Sequence, residues 1–361
     1  MSEIVIKTPK GKRKIGPGNP CFVIAEMSVN HQQNYDQAVA IIHAAAAAGA
    51  DAIKVQTFTA DSLTIPCDKP WFVKRGDSNP SEWGGQTLYE LYEKASMPWE
   101  WQPKLKKIAE DAGLVFFSTP QDILSINFLE DLDVPCYKIA SYEAVDLSLL
   151  KAVAQTKKPV IISVGFASRE EIDSALQTLR ANGATEIALL FCVTSYSDTP
   201  DYSTVNLKTM LDMREKYNTV VGFSDNNAGI DVPVIAATIG ASIIEKHFLL
   251  EHSSGSLDDR FSLSTNEFKE MVDRIRSADK IIGSVHYGPQ NDQEKQNLFF
   301  RRSLFVVKDV KKGEKFTNEN VRSIRPSAGL PPQYLDKIIG SFAACDIEYG
   351  TPLSWDMIQK I

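Results

Sequence analysis

Two lysines stand inside segments whose other residues are mostly apolar and typical of buried β-strands. Lys54 lies in AIKVQT, and Lys138 lies in CYKIAS. Burying an ammonium group in apolar surroundings is costly unless a negative charge neutralises it. The two lysines therefore predict either a binding site for an anionic ligand or internal ion pairs, for example between Lys54 and Glu26.

Hydroxyl groups occur at the ends of neighbouring strand-like segments. They belong to Thr119, Ser141, Ser163 and Ser224. Several hydroxyls together with two ammonium groups favour a ligand that carries both a phosphate and a carboxylate, as phosphoenolpyruvate does. A single lysine in an apolar pocket would instead indicate a Schiff-base nucleophile, as in an aldolase. We prefer the anion-binding interpretation and keep the Schiff-base lyase as the alternative.

Glu245 and His247 end the last strand-like segment, EKHF. The chain has five histidines, and an imidazole at this position suits a metal ligand or a general acid/base. His31, which follows the first strand-like segment, is a secondary candidate. His43, His252 and His286 lie in an alanine-rich helix or in polar segments and are expected to have no catalytic role.

Eight short apolar, β-branched segments alternate with stretches of helical period. This alternation predicts a parallel sheet covered by helices, and eight units predict a closed (β/α)8 TIM barrel. A doubly wound open sheet is the alternative. The strand-like segments are 21–25, 52–57, 114–119, 136–141, 160–164, 187–192, 219–224 and 242–248. The helix-like stretches are 36–48, 101–112, 122–131, 147–156, 168–182, 205–216, 230–239 and 266–280.

Catalytic groups of such a barrel project from the C-terminal ends of its strands. Each predicted strand has polar residues at or near that end, so we expect them to meet at one mouth. They include Glu26, Ser28, Asn30, His31, Lys54, Gln56, Thr119, Lys138, Ser141, Glu143, Ser163, Thr194, Tyr196, Ser224, Asp225, Glu245 and His247.

Composition and segment lengths bound the remaining expectations. The chain has 361 residues, 43% of them hydrophobic, and a net charge of −7, which argues against a general nucleic-acid binder. Five scattered cysteines without a CxxC pair, and the lack of a long apolar segment, predict a soluble cytoplasmic protein that does not enter a membrane. We expect a barrel domain over 1–283, a linker over 284–297 and a small β-rich domain over 298–361. The long stretch 58–98 is either an insertion on the catalytic face or a loop without a role there, and its side chains and those of 250–262 are expected to set which substrate is accepted.

Several motifs in this order resemble the sialic acid synthase (NeuB-like) family. They are IAEMSVNH, GADAIKVQT, FFSTP, YKIASYE, ISVGFA, GFSD, EKHF and KKGE with RPSAGL. The pattern looks closest to the pseudaminic acid synthase branch. The resemblance implies a barrel followed by an antifreeze-like (SAF) domain. It also implies condensation of phosphoenolpyruvate with an amino-sugar aldehyde, of the 2,4-diacetamido-2,4,6-trideoxy hexose or N-acetylmannosamine type.

The resemblance also implies roles for individual residues. Phosphoenolpyruvate would be held by Lys54, Thr119, Lys138, Ser141, Ser163 and Ser224, whereas the sugar would contact Gln56, Thr194, Tyr196 and Asp258. Glu26 would be the acid/base, supported by Glu143 and Glu245. Such enzymes form a domain-swapped homodimer, in which Arg325 would reach the N-acyl group of the sugar bound by the other chain.

Two positions depart from the family pattern. Asn226 replaces the histidine that, with the counterpart of His247, binds manganese or magnesium, and Phe191 replaces a basic residue. His247 and Asn226 are therefore the expected ligands of a divalent metal, with asparagine binding a transition metal more weakly. The resemblance leaves open a legionaminate or N-acetylneuraminate synthase, and a sugar-binding relative without activity.

Overall fold

The computed structural model describes residues 3–74, 84–252 and 255–359. The chain divides into two compact units, Met1–Gly283 and Ser284–Ile361. None of the helices in these described ranges is long and apolar enough to cross a membrane. The stretch 284–297, which we expected to be a plain linker, contains helix α11 (Asp292–Asn297), whose first turn is capped by the side chain of Asn291.

Eight parallel strands form a closed barrel in the first unit, which confirms the predicted TIM barrel and rules out an open sheet. The barrel closes where its last strand, β10 (Ile243–His247), pairs with its first strand, β3 (Phe22–Glu26), with His247 opposite Glu26. The strands are β3 (Phe22–Glu26), β4 (Ala52–Thr57), β5 (Val115–Pro120), β6 (Tyr137–Ile139), β7 (Val160–Ser163), β8 (Ile187–Val193), β9 (Val220–Asp225) and β10 (Ile243–His247).

Helices follow the strands and cover the barrel. Their polar N-caps stop fraying, because a side chain such as that of Asn34, Asp122 or Ser168 accepts a hydrogen bond from the N–H three residues on. The helices are α1 (Tyr35–Ala47), α2 (Ala60–Leu63), α3 (Leu88–Ala95), α4 (Gln102–Asp111), α5 (Ile123–Asp131), α6 (Leu147–Gln155), α7 (Arg169–Ala181), α8 (Lys208–Tyr217), α9 (Asp231–Thr238) and α10 (Thr265–Ile282).

An N-terminal hairpin, which the sequence analysis did not predict, closes the N-terminal end of the barrel. Its strands are β1 (Ile4–Thr8) and β2 (Gly11–Ile15). The inward side chains of Ile4, Ile6 and Ile15 belong to the barrel core. The backbone N–H of Val5 donates to Glu186 just before β8, at 2.6 Å. The hairpin therefore seals the end of the barrel opposite the predicted mouth.

The insertion between β4 and α4 consists of α2, α3 and connecting segments. Val73 and Thr87 form an isolated antiparallel bridge that closes the segment before α3. Residues 75–83 of the predicted insertion, and 253–254 of the stretch 250–262, lie outside the described ranges. Helix α3 confirms the helical pattern of TLYELYEKA.

The second unit has its own small core, in which Leu304, Val306, Phe316 and Leu353 are fully buried. Its strands β11 (Ser303–Val306) and β12 (Val321–Ile324) pair in an antiparallel ladder. It also contains helix α12 (Leu335–Ile338). In the run AACDI (343–347), Ala343 and Ile347 form isolated antiparallel bridges with Ile358 and Val310. The unit is the expected small module built mainly from short β-structure.

Candidate active site

One cavity of about 440 Å³ opens at the C-terminal ends of the barrel strands. The structure brings nearly all the predicted site residues together in its lining. These are Glu26, Ser28, Lys54, Gln56, Thr119, Lys138, Ser141, Glu143, Ser163, Thr194, Tyr196, Ser224, Asn226, Glu245, His247 and Asp258. Arg325 lies in the second unit, where it is exposed and directly follows β12.

The two predicted lysines share buried carboxylates at the base of this cavity. Lys54 Nζ lies 2.7 Å from Glu26 Oε2 and 3.7 Å from Glu245 Oε1. Lys138 Nζ lies 3.3 Å from the same Glu245 oxygen. Lys54 also donates a hydrogen bond to Thr119 Oγ1 at 3.1 Å. The internal ion pair, one of the two alternatives considered from the sequence, is therefore present between Lys54 and Glu26.

Burial and these charges determine the protonation of Lys54, Lys138 and Glu245 at the base of the cavity. Burial lowers the pKa of Lys138, and the neighbouring Lys54 lowers it further, whereas the Glu245 carboxylate opposes both. Burial would also lower the pKa of Lys54, but the carboxylates of Glu245 and Glu26 outweigh it, so that pKa is raised. For Glu245, burial is outweighed by Lys138 and Lys54, and its pKa is lowered. Lys54 and Glu245 are therefore held in their charged forms.

Glu26 is fixed from two sides. Its Oε2 atom pairs with Lys54, and its Oε1 atom accepts a hydrogen bond from Gln56 Nε2 at 2.9 Å. The Gln56 amide also donates to Ser28 Oγ at 3.0 Å. A carboxylate held in this way by β3 and β4 side chains is preorganised for acid/base work at the mouth.

Four buried oxygens that line the cavity have no hydrogen-bond partner within the described ranges. They are Ser163 Oγ, Glu143 Oε2, Glu245 Oε2 and Glu26 Oε2, of which the last is ion-paired with Lys54. Burial also raises the pKa of Glu143, against the charges of Lys138 and Lys54. Native proteins rarely leave buried polar atoms unpaired, so this cluster indicates a place that receives a polar ligand.

The two predicted metal ligands are the imidazole of His247 and the side-chain amide of Asn226. His247 Nδ1 lies 3.3 Å from Asp258 Oδ2, and its ring packs edge-on against Phe261. The Asn226 amide N–H donates to Cys192 Sγ at 3.6 Å. No group of three His, Cys, Asp or Glu residues in the part of the chain that the structure describes is arranged around a metal. An imidazole is a ligand type that suits transition metals, and an amide oxygen is one that suits hard cations such as Mg²⁺.

Other predicted mouth residues have structural roles. His31 is buried outside the cavity lining, where its Nδ1 accepts from the N–H of Gln33 and its ring meets Trp101 edge-on. Asn30 donates to the carbonyl of Phe248 at 2.9 Å, which ties the loop after β3 to the end of β10. Asp225 faces away from the cavity lining and pairs with Lys246.

The sequence analysis missed two features. Lys246 is fully buried in the wall of the barrel, 2.8 Å from Asp225 Oδ2, and its position inside an apolar strand was the same signal that identified Lys54. The second is an apolar side of the cavity, to which Phe58 and α3 contribute. Phe191 is half-buried and packs on Phe223, and it does not line the cavity.

Comparisons with known proteins agree with this architecture. Residues 41–287 match the NeuB family, and residues 301–359 match the SAF domain. A pseudaminic acid synthase of Campylobacter jejuni is 42% identical over 92% of this chain and 95% of its own. One from Helicobacter pylori is 38% identical over 94% of this chain and 98% of its own.

A solved structure of the N-acetylneuraminic acid synthetase of Leptospira borgpetersenii is 29% identical, with a TM-score of 0.68. The match covers 81% of this chain and 96% of that one. The family match covers the barrel domain from within α1 onwards, and the pseudaminic acid synthases align along almost the full length. This chain belongs to the NeuB family.

Proposed function

We propose that the chain condenses phosphoenolpyruvate with an N-acylated amino-sugar aldehyde, giving a nonulosonic acid and phosphate. The observation that carries the proposal is that two buried lysines, Lys54 and Lys138, and the Ser163 hydroxyl, which has no partner among the described residues, lie together at one barrel mouth. The similarity to pseudaminic acid synthases favours a 2,4-diacetamido-2,4,6-trideoxy hexose as acceptor. Legionaminate-type and N-acetylneuraminate-type acceptors are the alternatives within the same chemistry.

Phosphoenolpyruvate would lie at the base of the cavity. Lys54 and Lys138 would neutralise its phosphate and carboxylate, because an ammonium group is most effective where water is excluded. The hydroxyls of Thr119, Ser141, Ser163 and Ser224 would donate to its oxygens. Ser163 Oγ, which has no partner among the described residues, supports this placement.

The reaction forms one carbon–carbon bond and one carbon–oxygen bond, the latter from water, and breaks the carbon–oxygen bond to phosphate. Carbon three of phosphoenolpyruvate attacks the aldehyde carbon, whose oxygen takes up a proton. Water adds to carbon two, and the tetrahedral intermediate expels phosphate. Glu26, held by Lys54 and Gln56, would transfer protons beside the reacting carbons, with His247 as the second proton-transfer group and Glu143 and Glu245 supporting.

The acceptor sugar would lie above the donor. Gln56, Thr194, Tyr196 and Asp258 line this part of the cavity and would hydrogen-bond its hydroxyl and amide groups. The chain would form a cytoplasmic, domain-swapped homodimer. Each chain would comprise a barrel domain (1–283), a linker (284–297) and a small domain (298–361), and Arg325 of the partner subunit would reach the N-acyl group of the sugar.

Mixing inactive Arg325→Ala and Lys138→Met chains tests this arrangement, since mixed dimers should regain one intact site. No recovered activity after subunit exchange would contradict it.

A divalent cation, magnesium or manganese, would be held by His247 and Asn226. Bound there, it would polarise the aldehyde oxygen as a Lewis acid. The chain itself would supply the imidazole and the amide oxygen, with the Asp258 carboxylate beside the imidazole.

Phosphate release tests the proposed function. The purified chain is incubated with phosphoenolpyruvate, Mg²⁺ or Mn²⁺ and each of the three candidate sugars, and inorganic phosphate is measured. Release that depends on a sugar is expected. No phosphate release with any sugar would favour a binding protein. An imine trapped by borohydride in the presence of pyruvate would favour a Schiff-base lyase, in which Lys138 with its lowered pKa would be the nucleophile.

A further inference from the structure

The cavity has two chemically different sides. The strand ends supply lysines, carboxylates and hydroxyls. The insertion between β4 and α4 instead supplies one lysine, Lys74, and six residues that are mostly apolar: Phe58, Leu63, Leu88, Leu91, Tyr92 and Ala95. We call these six residues the α3 wall. Apart from the Tyr92 hydroxyl, their side chains have no hydrogen-bonding group, so the wall can contact a ligand almost only through apolar surface.

The α3 wall is held in place by several contacts. Helix α3 begins at a capping box in which the side chains of Thr87 and Glu90 satisfy each other's backbone N–H groups. The rings of Phe58 and Tyr92 pack edge to face at 6.0 Å, and Trp99 Nε1 donates to the carbonyl of Phe58 at 3.2 Å. The Gln33 side chain donates to the carbonyl of Lys94 at the end of the helix. The wall is thus preorganised.

The α3 wall adjoins the part of the cavity assigned to the sugar. Phe58 follows Gln56 by two residues at the end of β4, and both side chains line the cavity. A sugar hydroxyl pressed against such a surface loses its water partners and gains none, which is unfavourable. A methyl group at the same place gains by leaving water. The wall therefore distinguishes methyl from hydroxyl substituents.

We propose that the α3 wall selects acceptor sugars that are deoxygenated and multiply N-acetylated, and disfavours N-acetylmannosamine. The inference rests on the proposed function and adds the residues that determine specificity. A 2,4-diacetamido-2,4,6-trideoxy hexose presents three methyl groups, whereas N-acetylmannosamine presents one methyl group and two additional hydroxyls. One such difference in an apolar pocket changes kcat/KM by about 10- to 200-fold.

The test compares three acceptors at saturating phosphoenolpyruvate. They are the 2,4-diacetamido-2,4,6-trideoxy hexose, N-acetylmannosamine and the 6-deoxy analogue of N-acetylmannosamine, which differs from its parent by one hydroxyl. The wild type should prefer the diacetamido sugar over N-acetylmannosamine by at least about 10-fold in kcat/KM, and the 6-deoxy analogue should fall between them. Equal kcat/KM values for all three acceptors would overturn the inference without any variant.

Variants of the wall extend the test. Leu88 is only partly buried, so Leu88→Asn adds a hydrogen-bonding group with little risk to folding. It should lower the preference for the diacetamido sugar by about 10-fold or more, with the KM for phosphoenolpyruvate unchanged. Leu88→Met should keep the preference. Leu124→Asn, at an exposed position on α5 outside the cavity, is the matched control.

The outcomes separate the two proposals. An unchanged preference in a folded Leu88→Asn variant would refute the role of the wall. An equal fall for all three sugars would refute it as well. No phosphate release with any sugar would instead refute the proposed function. Sugar-dependent phosphate release without a preference among the three acceptors would support the proposed function and refute only the role of the α3 wall.

Discussion

Replacing Lys138 by methionine separates its structural role from its catalytic one. The change removes the ammonium group and keeps a side chain of similar length. Lys138 Nζ is buried and lies 3.3 Å from Glu245 Oε1. At an effective dielectric constant of about 20, two unit charges at that distance attract by about 5 kcal/mol. Desolvation of both groups offsets much of this attraction.

The expected loss of stability follows from the partner that remains. Removing one member of a buried ion pair typically costs about 3–5 kcal/mol of unfolding free energy. Lys54 Nζ, 3.7 Å from the same oxygen, still neutralises part of the Glu245 charge. We therefore expect a loss near the lower end, about 3 kcal/mol, in urea unfolding of the Lys138→Met chain.

Catalysis should fall for a different reason. A preorganised charge that stabilises the transition state contributes about 10²–10³ in kcat, and phosphate release should fall by at least that factor. In the double variant Lys138→Met/Glu245→Gln no buried charge is left alone, so stability should largely return while activity should not. Phosphate release and urea midpoints are measured on the same preparations.

Lys246→Met is the matched control. Lys246 is also a buried lysine paired with a carboxylate, but it lies outside the cavity lining. It should lose a similar amount of stability, about 3–5 kcal/mol, and keep most of its kcat. Near-normal turnover in Lys138→Met, or turnover restored by the double variant, would refute the assignment of Lys138 to the donor site.

Two further predictions concern the histidines and the metal. Burial lowers the pKa of His31 to about 4, although the charge of Asp258 opposes the shift. Between about pH 6.5 and 4 the unfolded chain therefore binds more protons than the folded chain, and stability is lost as the pH falls through that window. His31→Gln should flatten the pH dependence of the urea unfolding free energy by about 2–3 kcal/mol between pH 7 and 4.5, and the exposed His43→Gln should not; equal slopes in the two variants would contradict this. Asn226→His should tighten Mn²⁺ binding on the order of 10-fold, measured by calorimetry on metal-free protein without substrate, and an unchanged affinity would argue against Asn226 as a ligand.

The barrel could be predicted from sequence because each element repeats one simple pattern. The stretch 147–156 became α6 (Leu147–Gln155), and 52–57 became β4 with the same bounds. The N-terminal hairpin was missed because β2, GKRKI, carries three cationic residues in a row, which hide the burial of Ile15. Its strand character comes from pairing with β1 and not from its own composition.

The site was predictable residue by residue but not in its electrostatics. The Lys54–Glu26 ion pair could be considered from the sequence because the two residues lie on successive strands, where they are register partners. The sharing of Glu245 by both lysines depends on closure of the ring between β10 and β3, which no local pattern encodes. The direction in which α3 faces was equally hidden, since its apolar residues would also fit an ordinary packed helix.

Asp51, just before β4, links the beginning of the barrel to its end. Its carboxylate pairs with Arg13 of the hairpin and with Arg276 of α10, and it accepts a hydrogen bond from the N–H of Val23. Asp51 and Arg276 are 225 residues apart in the sequence. A growing chain on the ribosome cannot form this contact until almost the entire first unit has emerged, so docking of the last helix onto Asp51 becomes a late folding event.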